Sequence, residues 1–367
     1  MRIERAELRC FGLRLRTPLA TAHGPIDLRE GILLSLLGRG GCIGYGEATP
    51  LEAFGTESLA AARRSLEACA PLLEGADLEG PEDLLGWVAG RCPPTPTARA
   101  AIDSALHDLA ARETGQSLAS WLAAKQGRSA RPAVAVSALL ASRSASALGR
   151  EARRAVEIGF GTLKLKVGLG PASTDLERVS AVRDAVGPAP RIRVDANGAW
   201  SADEARARLE ALAPLDLEFV EQPVAAGDLA GLAQVRREAS VPVAADESAC
   251  GEAELRRVLD AEAADVVMLK PSAIGGISRA RAAAELARAA GVGVVPTSFL
   301  DGAVAVLGAL HLASSLPGHL PACGLATSAL LENDLAPAPA PEGGWLRVPP
   351  APGLGARPWG RTRGLAA

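Results

Sequence analysis

Only four of the 39 basic residues are lysines, and three of these lie in the middle of the chain: Lys164, Lys166 and Lys270. Arginine supplies positive charge everywhere else. Its pKa is too high for work as a base, whereas the surroundings of a lysine can tune it downward. Lysines kept in so arginine-rich a chain therefore point to proton transfer. The fourth, Lys125, sits in the polar stretch Lys125-Gln126-Gly127-Arg128 and requires only a solvated surface. Around the central lysines stand three acidic strings, Asp195-Ala196-Asn197-Gly198, Glu221-Gln222-Pro223 and Asp246-Glu247-Ser248, each directly after a short apolar run. Carboxylates brought to one point in that number are hard oxygen ligands suited to Mg²⁺, with Mn²⁺ as a substitute. Asp195, Glu221 and Asp246 are the expected ligands, with Asn197 and Glu247 supporting them. A divalent ion there neutralises the charge that develops when a proton leaves carbon beside a carboxylate. A lysine next to another cation has its pKa pushed down, and Lys164 is placed to do this to Lys166.

Residues so far apart in sequence need a frame that gathers them. The first ~60 residues read as antiparallel strands, with alternation in Arg2–Arg9, an apolar Ile32–Leu37, and a turn at Gly38-Arg39-Gly40-Gly41 into Cys42–Glu47. Helical periodicity follows at Glu57–Ala70, Pro81–Val88 and Thr97–Gln116. From Ala133 the pattern becomes strand and helix in alternation. Strands are predicted at Ala133–Ser137, Thr162–Val167, Ile192–Asp195, Leu217–Val220, Val243–Ala245, Val266–Lys270 and Val292–Pro296, with an eighth near Cys323–Ala326. Helices between them include Ser201–Leu212, Leu229–Arg237, Gly276–Ala290 and Asp301–Ala313. Eight such units argue for a closed α/β barrel, whose working residues sit at the C-terminal strand ends. Alternation then sends Lys164 and Lys166 into the barrel if Leu165 packs outward. The expected organisation is an α+β domain over residues 1–130, a barrel over 131–330, and a segment over 331–367 that returns to the first domain to bury Trp345 and Trp359.

The remaining composition narrows the class. With 48% hydrophobic residues and a net charge of −3, the chain can build a large core and carries no basic block suited to nucleic acid. No run of 18 apolar residues suggests a membrane span. The start, Met1-Arg2-Ile3-Glu4-Arg5, lacks a signal-peptide core. Cys10, Cys42, Cys69, Cys92, Cys250 and Cys323 form no CxxC pair and are expected as buried free thiols in a reducing cytoplasm. The expected partner is a small carboxylate substrate, and a homo-oligomer is left open.

In combination, KxK on the second strand, acids on the third to fifth and lysine on the sixth resemble the muconate-lactonizing branch of the enolase superfamily. The resemblance covers essentially the whole chain. It implies a modified TIM barrel, (β/α)7β, with an N-terminal α+β capping domain whose loops, here Thr17–Pro25 and Leu51–Thr56, close over the substrate. Within the branch, four strings are similar to the o-succinylbenzoate synthases of menaquinone biosynthesis: Gly44-Tyr45-Gly46-Glu47-Ala48, Phe54-Gly55-Thr56-Glu57-Ser58, Leu269–Gly276 and Ala322–Thr327. That likeness implies a syn dehydration in which Lys166 takes the proton and then protonates the departing hydroxyl. Lys270 would remain a cation, and Thr297 or Ser298 would lie near the succinyl chain. Dipeptide epimerases of the branch carry DxD at strand eight, where this chain has Gly324-Leu325-Ala326-Thr327. An N-acylamino acid (N-succinylamino acid) racemase is the main alternative, because two lysines can exchange a proton on opposite faces; muconate cycloisomerase also remains. An inert barrel kept for binding would be expected to have lost a metal carboxylate or a lysine, and this chain keeps them all.

Overall fold

The computed structural model describes residues 1–21 and 24–358. The chain opens with an antiparallel sheet of β1 (Ile3–Thr21), β2 (Gly24–Gly38) and β3 (Ile43–Ala48), ordered 1-2-3. β1 runs well past the predicted Arg2–Arg9, through a register shift between Arg14 and Leu19. Helices Leu59–Leu73, Pro81–Ala89 and Pro96–Glu113 fall on the three predicted stretches, and a short helix, Leu118–Ala124, was not anticipated. Helix Pro96–Glu113 lies so close to β3 that a Cβ at Gly44 or Gly46 would come within 2.1 Å of Ala105 O or 1.8 Å of Ala101 O. The two glycines of the Gly44–Ala48 string are thus a packing requirement.

The second part is the barrel. After β4 (Ala133–Ala135) come β5 (Ala138–Leu140), β6 (Thr162–Lys166), β7 (Arg191–Asp195), β8 (Leu217–Glu221), β9 (Val243–Ala245), β10 (Val266–Leu269) and β11 (Gly293–Pro296). β5 to β11 form one parallel sheet in sequential order. The first predicted strand is corrected: Ala133–Ser137 is split, because β4 pairs with β12 (Trp345–Arg347) and the barrel strand begins only at Ala138. The predicted eighth strand is reduced to single bridges. Cys323 pairs with Val136, and Gly324 with Thr297, so the segment joins the first and last edges. Hydrogen bonds of 2.7–3.0 Å (Cys323 N to Ala135 O, Ser137 N to Cys323 O, Gly324 N to Pro296 O) complete the seam. The fold is a modified (β/α)7β barrel capped by an N-terminal α+β domain.

Alternation along the strands sets the layers inside. Phe219, Ala244, Met268 and Val295 form one small buried cluster of their own. The Arg193 guanidinium lies over the Phe219 ring and bonds Glu218 at 2.6 Å. Two residues further along β7 and β8 come Asp195 and Glu221, at the C-terminal ends.

Two further expectations need correction. Trp345 is 51% exposed, because in β12 Leu346 takes the inward position and its neighbours face out. Trp359 lies outside the described residues. The C-terminal segment is held instead through its backbone, with Gly353 N on Gln116 O at 2.8 Å and Leu354 N on Asp108 Oδ1 at 2.7 Å. All six cysteines are free, but only Cys69 and Cys323 are buried, and Cys10 is exposed at the surface sheet. Among the described residues no helix is long and apolar enough to cross a membrane.

Candidate active site

β6 carries Lys164 and Lys166 on one face, while Leu165 between them is fully buried in the main hydrophobic core. Register places Lys166 beside Asp195 and Asp195 beside Glu221 on adjoining strands. Asp246 follows β9, and Lys270 follows β10. The barrel thus brings all six residues to one mouth, where each lines the same cavity of about 140 Å³.

The contacts are mainly between charges. Lys164 Nζ is 2.6 Å from Glu221 Oε1 and 2.9 Å from Asp195 Oδ2. Lys166 Nζ is 2.8 Å from the same Asp195 oxygen and also donates to Asn197 Oδ1. Lys270 Nζ is 2.7 Å from Asp246 Oδ2 and lies 5.2 Å over the Phe299 ring. The expected direct action of Lys164 on Lys166 is therefore modified, because one carboxylate oxygen stands between the two ammonium groups. Burial disfavours the charge on Lys164, yet Asp195 and Glu221 outweigh it and hold the group above the ordinary lysine range. Burial likewise opposes Lys270, and Asp246 with Glu247 more than compensate. Asp195 is buried too, but the two lysines keep it well below the usual carboxylate range. Glu221 differs: burial and the Asp195 charge push it up to about 8. Burial and the Asp246 charge raise Glu247 to about 7.

Asn197 and Glu247 lie beside this cluster. Asn197 bonds Asp195 Oδ1 through its N–H at 3.0 Å and donates its side-chain amide to Glu247 Oε1 at 2.8 Å. Gln222, which sequence reasoning passed over, accepts from Asp246 N at 3.0 Å and Ser248 N at 3.1 Å, fixing the chain at the third acid. Asn197, Gln222 and Leu300 all adopt positive φ, at 45°, 40° and 58°. Left-handed backbone at non-glycine residues costs free energy and persists where surrounding contacts impose it.

Whether the acids suit a divalent ion can be tested on their own atoms. Three ammonium groups face four carboxylates here, and Glu221 Oε2 and Glu247 Oε2 are buried without a hydrogen-bond partner. Buried acceptors of that kind are rare unless a cation or water satisfies them. The donors are oxygens on rigid strand ends, as Mg²⁺ prefers. As placed, the carboxylates turn toward the lysines, and among the described residues no three acidic, His or Cys side chains are set to share one ion. The donor set fits the ion; the lysines hold the acids in the arrangement seen.

Apolar residues complete the cavity. Leu19, Ile26, Leu51 and Phe54 come from the N-terminal domain, so both loops expected to close over a substrate contribute to its wall. Phe54 meets Phe299 edge to face, with centroids 6.5 Å apart. Thr297 and Ser298 line it as well, beside Gly324, Ala326 and Thr327. Phe299, Leu300, Ser137 and Leu139 were not singled out from the sequence. For Phe299 and Leu300 the only signal was their place just after Thr297-Ser298.

The sequence matches "Mandelate racemase / muconate lactonizing enzyme, N-terminal domain" over residues 5–122 and "Enolase C-terminal domain-like" over residues 147–359. An o-succinylbenzoate synthase of Thermobifida fusca is 46% identical over 186 residues, half of this chain and 57% of that protein. The chain therefore matches little more than half the length of that relative. The L-Ala-D/L-Glu epimerase of Bacillus subtilis is 30% identical over 86% of both chains. Among solved structures, the N-succinyl Arg/Lys racemase of Bacillus cereus superposes with a TM-score of 0.90 at 27% identity, covering 98% of this chain and 96% of that one.

Proposed function

Because this chain belongs to the enolase superfamily, in its muconate-lactonizing branch, we propose that it removes the proton beside a substrate carboxylate and completes a syn dehydration, as an o-succinylbenzoate synthase does. The observation that carries this reading is the barrel mouth itself, with lysines from β6 and after β10 bordering one cavity around three strand-end acids. Asp195, Glu221 and Asp246 would hold Mg²⁺, which when bound supplies positive charge to the substrate carboxylate as the proton leaves. Lys166, in its neutral form, takes the proton from carbon. It then returns that proton to the hydroxyl leaving from the same face, so the C–O bond breaks and water departs. Lys270 remains an ammonium ion on the other side and stabilises the negative charge left on the substrate. The Thr297 and Ser298 hydroxyls lie on the wall suited to a succinyl chain, and the reaction would serve menaquinone biosynthesis.

Two observations favour a synthase over an epimerase of dipeptides. The synthase relative is the more similar in sequence over the stretch it shares. The wall formed by Gly324, Ala326 and Thr327 also carries no acid to hold a substrate amine. The N-succinylamino acid racemase is the second reading, supported by Lys270 in the same cavity as Lys166. Side-by-side kinetics on a succinyl-cyclohexadiene carboxylate and an N-succinyl amino acid test the choice. We expect the higher kcat/KM for dehydration. Lys270→Arg should keep measurable dehydration and lose racemization, since only the latter needs Lys270 to exchange a proton. Racemization faster by about tenfold or more (~1.4 kcal/mol in relative activation free energy) would replace the synthase reading with the racemase.

A further inference from the structure

Lys166 is the last residue of β6, and its peptide bond to Val167 is held from two sides. Val167 N donates to Asp195 O at 2.9 Å, toward β7. A trans peptide points its carbonyl the opposite way, so Lys166 O faces the β5 side. There β5 has already ended, with Leu140 opposite Leu165. The donor comes instead from helix Ala172–Val186, where Arg178 Nη1 lies 2.8 Å from Lys166 O. Arg178 is only 7% exposed and stands 3.7 Å from Asp175 Oδ1 on the same helix. Asp175 Oδ2 in turn accepts from Gly168 N at 2.9 Å and from Arg208 at 2.8 Å. Arg208 also donates to Gly170 O at 3.2 Å. The turn that leaves β6 is thus gripped at Lys166, Gly168 and Gly170 by one largely buried group of charges.

We propose that Arg178 is a positioning residue for the proton transfer. By holding the carbonyl of Lys166 it fixes the main chain from which that side chain reaches, and so the place of Nζ relative to the substrate carbon. The contacts of Nζ itself, with Asp195 and Asn197, are between side chains and can be exchanged. The anchor on the backbone does not depend on them. Displacing a reacting group by about 1 Å can cost ~10²-fold in rate, so an aim set by the main chain bears directly on kcat. This rests on Lys166 being the base, and adds what aims it.

Arg178→Met keeps most of the side chain and removes its donors, while Asp175 retains Gly168 N and Arg208. Arg183 provides the comparison. It lies on the same helix and bonds the carbonyls of Leu215, Gly187, Pro190 and Asp216 at 2.8–3.0 Å, before β7 and β8 begin and so at the opposite ends of the strands. Two measurements are made on the full-length proteins with saturating Mg²⁺. The first is kcat on whichever of the cyclohexadiene and N-succinyl substrates turns over faster, divided by the number of sites that bind its product in calorimetry. The second is amide hydrogen exchange in a peptide covering residues 162–170. Arg178→Met is expected to lower kcat per site about tenfold or more, to change KM by less than about threefold, and to speed exchange in that peptide. Arg178→Lys, whose single ammonium group can still reach the carbonyl, should recover part of the loss. Arg183→Met should lower Tm and keep both kcat per site and exchange at 162–170. Unchanged kcat per site in Arg178→Met, unchanged exchange there, or a loss shared equally by Arg183→Met would overturn the proposal. If the wild type turns over neither substrate, the catalytic reading fails by itself, and exchange at 162–170 still decides whether Arg178 holds the turn. An inactive Lys166→Arg beside a fully active Arg178→Met would leave the base in place and remove only its anchor.

Discussion

Two buried clusters of charge lie within this molecule, and they are satisfied in opposite ways. At the barrel mouth, Lys164, Lys166 and Lys270 pair with acids, and Glu221 Oε2 and Glu247 Oε2 have no partner. At the seam between the N-terminal domain and the barrel, charge is tied to the backbone instead. Arg29 donates to the carbonyls of Leu300, Pro50 and Thr49 at 2.7–3.1 Å. Glu47 accepts from Gly302 N at 2.6 Å and Ala305 N at 3.0 Å, at the start of helix Ala303–Ser315, and Asp301 accepts from Phe299 N at 2.8 Å. Bonds to backbone fix a shape, since the partner cannot rotate away. Bonds between long side chains can be exchanged when an ion and a substrate arrive. Burial alone therefore does not identify a working site; what the charges are bonded to does.

The largest effect should come from Lys166. Both Lys166→Ala and Lys166→Arg are expected to lower kcat by ~10³-fold or more, because neither leaves a base near neutral pH. Stability should hardly change, since Asp195 keeps Lys164 as a partner at 2.9 Å. Arginine retaining a substantial fraction of the wild-type rate would remove Lys166 from the role of base. Next in size is the metal. Exhaustive chelation should cost roughly 10²-fold or more in rate and be reversed by Mg²⁺ or Mn²⁺, and Asp195→Asn should mimic it irreversibly. Full activity after chelation would break the assignment of the three acids.

At the seam a substitution should change stability and leave chemistry nearly intact. Thr49 Oγ1 lies 2.9 Å from Glu47 Oε1 and 3.1 Å from Asp301 Oδ1, and its one hydrogen cannot serve both. A proton held by one of the two acids would supply the second hydrogen bond. In agreement, burial and the Asp301 charge raise Glu47 to about 8. A carboxyl whose folded pKa is raised binds its proton more tightly than the unfolded chain does. Its contribution is full below the unfolded value of about 4.5 and is lost as pH rises through about 8. Glu47→Gln cannot ionise. The wild type should lose Tm between pH 5 and pH 9 more steeply than Glu47→Gln, by several degrees, while kcat stays within about threefold. Parallel Tm curves for the two proteins would show that no shared proton exists at the seam.

The contrast between clusters also explains what could be read from residue types. Strand-end acids and paired lysines were visible because β6 to β10 are short apolar runs with polar ends, and a barrel places such ends together. Glu47 was visible only as part of a string, since its partners, Gly302 and Ala305, lie more than 250 residues away. The same distance hid Leu300, whose left-handed backbone is secured by Arg29. The first strand was misplaced because Ala133–Leu140 is apolar but for Ser137, and only pairing with β12 decides which part joins the barrel. Trp345 was misjudged because alternation in a three-residue strand is set by its partner and cannot be read from the aromatic residue itself.

The smallest expected effect tests the inference from lysine scarcity, using the same chemical change at a different place. Lys125 stands 3.3 Å from both Glu82 oxygens and 3.9 Å over the Trp121 ring, with its side chain 39% exposed. A guanidinium can make the same pair and the same ring contact, and exposed pairs contribute at most about 1 kcal/mol. Glu82 also faces His107 at 3.6 Å, so its charge would not be stranded during any adjustment. Lys125→Arg is therefore expected to shift stability by less than ~0.5 kcal/mol in urea unfolding and to leave kcat/KM at the wild-type value. Lys166→Arg, identical on paper, should be inactive. If the Lys125 variant lost activity to a similar degree, the rare lysines could no longer be divided into one at a solvated surface and three at a site of proton transfer.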